Sequence, residues 1–223
     1  MRTLRDHGLS LFFFAIFLAA LAGHAVAGHA EYNNEAVAHA SETISFWRYV
    51  VSSDFGQAVM ENWQSEYLQF TLFVFATVWF VQKGSPESKK VDEVGTQSDA
   101  DQLLGEHSRA DSPSWARARW FKRFVYSNSL LLVMGTIWLG SWFANSVTGW
   151  SAYNAEQLDH DGQTLGWLQY IGTAEFWETT LQNWQSEFLA VGSMVVLSIY
   201  LRQRGSPESK PVGLAHEATG IEA

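Results

Sequence analysis

The 223-residue chain has no cysteine. That excludes disulfides, thiolate metal sites and cysteine nucleophiles, and it leaves the redox compartment open. Basic residues are few and unevenly placed. Of the 14 lysines and arginines, only Arg48 lies in the acidic stretches 28–66 and 149–187, and the second stretch has none. No basic groove is therefore available for nucleic acid. Also missing are a phosphate-binding glycine loop, a nucleophile elbow, a zinc-protease motif and the kinase set. The Gly-Ser elements that do occur follow apolar helical runs, with no strand before them. The sequence thus gives no support for an enzyme and implies no cofactor.

What is abundant is apolar sequence in blocks: Leu9–Ala27, Tyr67–Gln82, Leu130–Thr148 and Phe188–Leu201. A helix rises about 1.5 Å per residue and the hydrocarbon layer is about 30 Å thick, so a crossing needs about 20 residues. The first and third blocks meet that length, while the second and fourth fall slightly short. A basic start, an apolar centre and Ala25-Val26-Ala27 also describe a cleavable signal peptide. Against that reading, the block equivalent to the first, Leu130–Thr148, lies mid-chain.

The equivalence comes from an internal repeat. Asn62-Trp63-Gln64-Ser65-Glu66 recurs as Asn183-Trp184-Gln185-Ser186-Glu187, an offset of 121 residues. At the same offset Lys83-Gly84-Ser85-Pro86-Glu87-Ser88-Lys89 becomes Arg204-Gly205-Ser206-Pro207-Glu208-Ser209-Lys210. Tyr32-Asn33-x-Glu35 matches Tyr153-Asn154-x-Glu156, His39 matches His160, and Tyr49 matches Tyr170. The expected organisation is repeat 1 over 1–90, with crossings at about 9–27 and 64–83, and a flexible cytoplasmic linker over 91–114. Repeat 2 follows over 115–210, with crossings at about 130–148 and 183–202, and 211–223 is a loose tail. The fold class is all-α: a polytopic membrane protein with four transmembrane helices from two tandem helical hairpins. Small residues at Ala19, Gly23 and Ala27, and at Gly140, Ala144 and Thr148, suit close helix packing.

Local signals refine this outline. Residues 29–39 read as a helical extension of the first crossing. Ser53 or Asp54 is placed to cap the next long helix. Gly84 fits a helix C′ position, and Ser85-Pro86-Glu87 fits a new first turn. Thirteen of the 14 lysines and arginines fall in Met1–Gly8, Lys83–Arg123 or Arg202–Lys210. Both termini and the linker are therefore expected on the cytoplasmic side of a bacterial inner membrane, with the acidic loops outside. Lys89, Lys90, Arg117, Arg119, Lys122 and Arg123 would face anionic lipid there, and Trp115, Trp120, Trp63 and Trp184 would anchor the interfaces.

Counting back from the inner basic residues puts Glu66 and Glu187 at the outer edge of the hydrocarbon. Each has an asparagine four residues earlier on the same helix face, Asn62 or Asn183. Two readings stay open. These four residues form a proton or small-cation site, or they fix packing while the tryptophans anchor the interface. Histidine offers no bis-histidine haem, because His24 and His29 have Asn145 and Trp150 as repeat partners. No metal is assigned; His39 and His160, each four residues after a glutamate, are the candidates that remain.

The doubled Asn-Trp-Gln-Ser-Glu and Gly-Ser-Pro-Glu-Ser-Lys elements, with Tyr-Asn-x-Glu after the first crossing, resemble a family of bacterial membrane proteins known only as a domain of unknown function. The resemblance covers nearly the whole chain apart from the linker and tail. It implies the membrane build and carries over no functional residue. The role expected is a non-enzymatic structural or accessory protein that binds lipid or a membrane partner, or a second copy of itself. The alternative is a small transporter or channel built on the paired glutamates.

Overall fold

The computed structural model describes residues 6–220, so Arg2 and Arg5 of the basic start lie outside it. The described residues form seven α-helices and no strand: α1 Gly8–Ala38, α2 Phe46–Val50, α3 Ser53–Trp79, α4 Phe121–Ser127, α5 Ser129–Asp159, α6 Trp167–Ile171 and α7 Ala174–Tyr200. Helices α1 and α5 are long and apolar enough to cross a membrane. At 31 residues each they run about 46 Å, so each continues well beyond its apolar block. The first includes the extension through residues 29–38.

Two compact units divide the chain: Met1–Met60 with Ala144–Gly172, and Glu61–Phe143 with Thr173–Ala223. In the first unit Ala25, Tyr49 and Phe55 form a buried cluster, with Leu21, Tyr32, Ile44, Phe46, Val50 and Val59 packed on it. Tyr49 presses its hydroxyl on Gly28 so closely that a Cβ there would collide with it, and Tyr170 does the same to Gly149. Only glycine leaves room for that approach.

The chain returns from each long helix through a side-chain clamp. Asn33 Nδ2 donates to the Ile44 carbonyl (3.0 Å), and the Ile44 amide donates to Asn33 Oδ1 (2.8 Å). At the positions 121 residues on, Asn154 Nδ2 donates to Leu165 O (2.9 Å), and Leu165 N donates to Asn154 Oδ1 (2.8 Å). A ring nitrogen reinforces each carbonyl: His29 Nε2 at 2.8 Å from Ile44 O, and Trp150 Nε1 at 2.6 Å from Leu165 O. His29 is therefore matched by a residue that can only donate, which accounts for the His-to-Trp exchange. Both long helices also close alike. Ala40 and Asp161 take left-handed backbone, with φ of 55° and 54°. Ser41 N then reaches back to Ala36 O (2.7 Å) and Gly162 N to Gln157 O (2.6 Å), a pattern that satisfies the last helical carbonyls.

Some local expectations are corrected. The cap of α3 is Ser52, whose Oγ accepts from Phe55 N (3.3 Å), rather than Ser53 or Asp54. Thr173 does the same for α7, accepting from Phe176 N at 3.2 Å. Gly84 is not a helix C′ residue, because α3 stops at Trp79 and residues 80–82 leave the helix. Its φ of 89°, like the 85° of Gly205, serves a later turn in which Ser85 Oγ accepts from Glu87 N (3.3 Å) and Ser206 Oγ from Glu208 N (3.2 Å). Residues 212–220 are docked rather than loose. Thr219 Oγ1 accepts from Gly84 N (2.8 Å), and Gly220 N donates to Ser85 O (3.1 Å). Lys210, 1 % exposed, sets its ammonium among the carbonyls of Gly84 (2.5 Å), His216 (2.8 Å), Ala218 (3.2 Å) and Ala215 (3.4 Å). Burial, with Arg202 adding to it, holds that ammonium below the usual lysine range.

Asn154→Ala strips a half-buried backbone amide of its partner, and a loss of about 1–3 kcal/mol is expected for such a group. Asn33→Ala behaves likewise. Asn154→Asp keeps the acceptor oxygen and loses only the donor, so thermal unfolding in detergent should rank it between wild type and alanine.

Candidate functional site

In the second unit α3 and α7 bring the two copies of Asn-Trp-Gln-Ser-Glu together, but through different residues of each copy. On α3 the buried stripe is Gln64, Ser65 and Leu68, with Glu61 half-buried one turn earlier. That spacing of three and four residues marks one helix face. Asn62 and Glu66, expected to point inward, lie on the neighbouring exposed face. On α7 the inner positions are Phe176, Thr180, Asn183, Trp184 and Glu187, whereas Gln185 and Ser186 are exposed.

Two bonds join these faces. Asn183 Nδ2 donates to Glu61 Oε1 (2.6 Å) and to the Thr179 carbonyl (3.0 Å). Trp184 Nε1 donates to Gln64 Oε1 (2.8 Å). Gln64 is fully buried and uses only its carbonyl; its Nε2 and the Oγ1 of the equally buried Thr180 have no hydrogen-bond partner. Aromatic rings surround the region. Trp142 of α5 lies 6.0 Å from Trp184, 6.2 Å from Trp177 and 6.4 Å from Phe176, and it stacks on Trp138 at 6.1 Å. Glu66 lies within electrostatic range of Glu187.

The four-residue set Asn62, Glu66, Asn183 and Glu187 is thus only partly assembled. Asn183 meets Glu61, a residue missed because the repeat drew attention to what both copies share. Position 182, the counterpart of Glu61, is glutamine. The available signal was helical: Glu61 precedes Gln64, Ser65 and Leu68 by three, four and seven residues.

Elsewhere, Trp63 lies 6.4 Å from Tyr67, and Trp115 6.3 Å from Tyr126. Trp120 is 84 % exposed at the start of α4, with Phe121 and Phe124 exposed beside it. Arg119 and Lys122 are exposed in the same stretch. Arg117 donates to the carbonyls of Arg109 and Ala110, and Arg123 pairs with Asp99 at 3.2 Å. Lys89 gives its ammonium to Gly95 O (2.8 Å), and Lys90 beside it is half-buried. The carboxyl of Glu87 is pushed above its ordinary range, first by burial and then by the charge of Glu208. In the first unit His39 and His160 stand ring to ring, with centroids 6.1 Å apart. Among the described residues no three or more His, Cys, Asp or Glu side chains converge on one point.

These features define an all-helical protein with two helices able to cross a membrane and a polar seam set among tryptophans. The chain belongs to the family described as a domain of unknown function, DUF6766, whose model matches residues 1–221. No curated protein and no solved structure matches it.

The seam is testable by a double-mutant cycle. Trp184→Phe and Gln64→Leu should each destabilise, and the pair together by less than their sum, with a coupling of about 0.5–1.5 kcal/mol. Additive losses in thermal unfolding would mean the bond contributes nothing.

Proposed function

We propose that the protein is a non-enzymatic membrane protein of structural or accessory role, crossing the bacterial inner membrane four times and binding anionic lipid on its cytoplasmic side. The observation that carries this reading is the stretch 115–124. It exposes Trp115, Trp120, Phe121 and Phe124 together with Arg117, Arg119 and Lys122. A water-facing surface has no use for so many bare aromatic rings, whereas the headgroup layer accommodates rings and cations together. Helix α4, which carries the end of this stretch, is separated from α5 by Asn128 alone. Few residues in the apolar window of α1, and a minority in that of α5, are buried, which suits lipid contact better than an aqueous core.

In this reading α3 and α7 supply the other two crossings. Residues 64–79 of α3 and 183–200 of α7 rise about 24 Å and about 27 Å as helix, close to the thickness of the hydrocarbon layer. The distribution of lysine and arginine supports an orientation with Lys83–Arg123, Arg202–Lys210 and both termini inside and the acidic loops outside.

Because the chain has no cysteine, topology can be mapped with single introduced thiols. Glu42→Cys and Gln163→Cys should react with an impermeant maleimide in intact cells; labelling of either only after lysis sinks the four-crossing arrangement. Native mass spectrometry from mild detergent tests the lipid preference. Anionic phospholipid should be retained over zwitterionic, and the triple change of Arg117, Arg119 and Lys122 to Gln should remove the preference. Equal retention by both proteins would overturn it.

A second reading, a small transporter or channel with a proton or cation site, draws on the seam itself. Glu66 lies near Glu187, the Glu61–Asn183 bond is beside them, and Gln64 Nε2 and Thr180 Oγ1 are buried without hydrogen bonds where tight packing alone would favour apolar groups. Glu66→Gln with Glu187→Gln should then abolish proton or cation flux in reconstituted vesicles. Flux that is absent in the wild type, or unchanged in the double variant, removes this reading.

A further inference from the structure

The first unit contains one cluster of potential metal ligands outside the seam: His39 and His160, which follow the last residues of α1 and α5. Both are exposed and accessible. Their rings stand 6.1 Å apart between centroids, at an interplanar angle of 80°. With metal–nitrogen bonds of about 2.0–2.1 Å, two imidazoles on one ion have centroids about 5.2 Å apart at a tetrahedral angle and about 6.4 Å apart when opposed. The observed separation lies inside that interval, and a small side-chain rotation reaches either end of it.

The tautomer is also prepared. His39 Nδ1 lies 3.0 Å from the Glu35 carbonyl, an oxygen that can only accept. Nδ1 is therefore the donor of that contact, and in the neutral imidazole Nε2 keeps its lone pair, the arrangement in which histidines commonly bind metal. Each ring sits at a helix C-terminus, where the partial negative charge of the terminal carbonyls favours a cation. Each is followed by a non-glycine residue in left-handed backbone, Ala40 and Asp161. Such strain persists where the surroundings impose it.

We propose that His39 and His160 form a two-imidazole surface site for a transition-metal ion that favours nitrogen ligands, such as Zn2+. The chain supplies two ligands, and water completes the coordination, since no third protein ligand converges among the described residues. The ion ties the ends of α1 and α5 together within the first unit. This assignment does not depend on the membrane orientation or on the lipid preference.

The test is calorimetric titration of the full chain in detergent with Zn2+, using Mg2+ as control, on wild type, His39→Gln, His160→Gln and the double variant. Wild type should bind one Zn2+ per chain and no Mg2+. Each single variant should lose more than about tenfold in affinity, the scale on which metal sites respond to losing a supporting group. The double variant should bind no more tightly than either single, because it retains neither imidazole. Matching thermal unfolding curves without metal establish that the exposed substitutions leave the fold intact. Zn2+ affinity unchanged in either single variant, or equal in wild type and the double variant, overturns the site, as does equal binding of Mg2+.

Discussion

Every backbone amide that leaves water needs a partner, and the turns that follow the two long helices meet this need with one side chain each. Asn33 and Asn154 act as substitute peptide groups, donating and accepting across the turn to Ile44 and Leu165. The short helices α2 and α6 begin just beyond those bonds, and Tyr49 and Tyr170, carried on them, fold back onto Gly28 and Gly149. Without the asparagine the turn would have no fixed geometry, and the tyrosine would have no defined glycine to meet. The buried cluster of Ala25, Tyr49 and Phe55 therefore depends on a pair of polar bonds rather than on apolar area alone.

Much of this was legible in the sequence, for a physical reason. Helix existence and length follow from long apolar blocks without proline, and a side-chain clamp that recurs at a fixed offset leaves matching letters, Tyr-Asn-x-Glu, at both places. The ends of elements were less legible. Ser52 caps α3 where Ser53 and Asp54 looked equally suitable, because any of three adjacent small polar residues can reach an amide two or three positions on. Gly84 carries left-handed backbone as expected, but inside a turn whose distance from Trp79 no composition reveals. Docking of residues 212–220 was invisible because it rests largely on backbone groups, which every residue possesses.

The seam shows where repeat logic fails. Matching words invite the assumption of matching contacts, yet the first copy turns Gln64 and Ser65 inward and the second turns Asn183 and Trp184 inward. A helix face spans only part of the circumference, so a rotation of one position's angle, about 100° at 3.6 residues per turn, exchanges the buried letters for their neighbours. A donor needs an acceptor opposite, and here the two copies supply it from different residues. Trp184 gives a proton that Gln64 takes, and Asn183 gives one that Glu61 takes. The matching words therefore meet through unlike residues.

The carbonyl cradle around Lys210 also affects how the amine behaves toward reagents. Its nitrogen is enclosed, and its N–H groups donate to several carbonyl oxygens, so no lone pair is free to attack. Exposed lysines such as Lys122 will acylate freely, while Lys210 stays unmodified until residues 211–220 lift away. The rate at which this one amine becomes labelled is therefore a direct clock for the peeling of the segment that covers it.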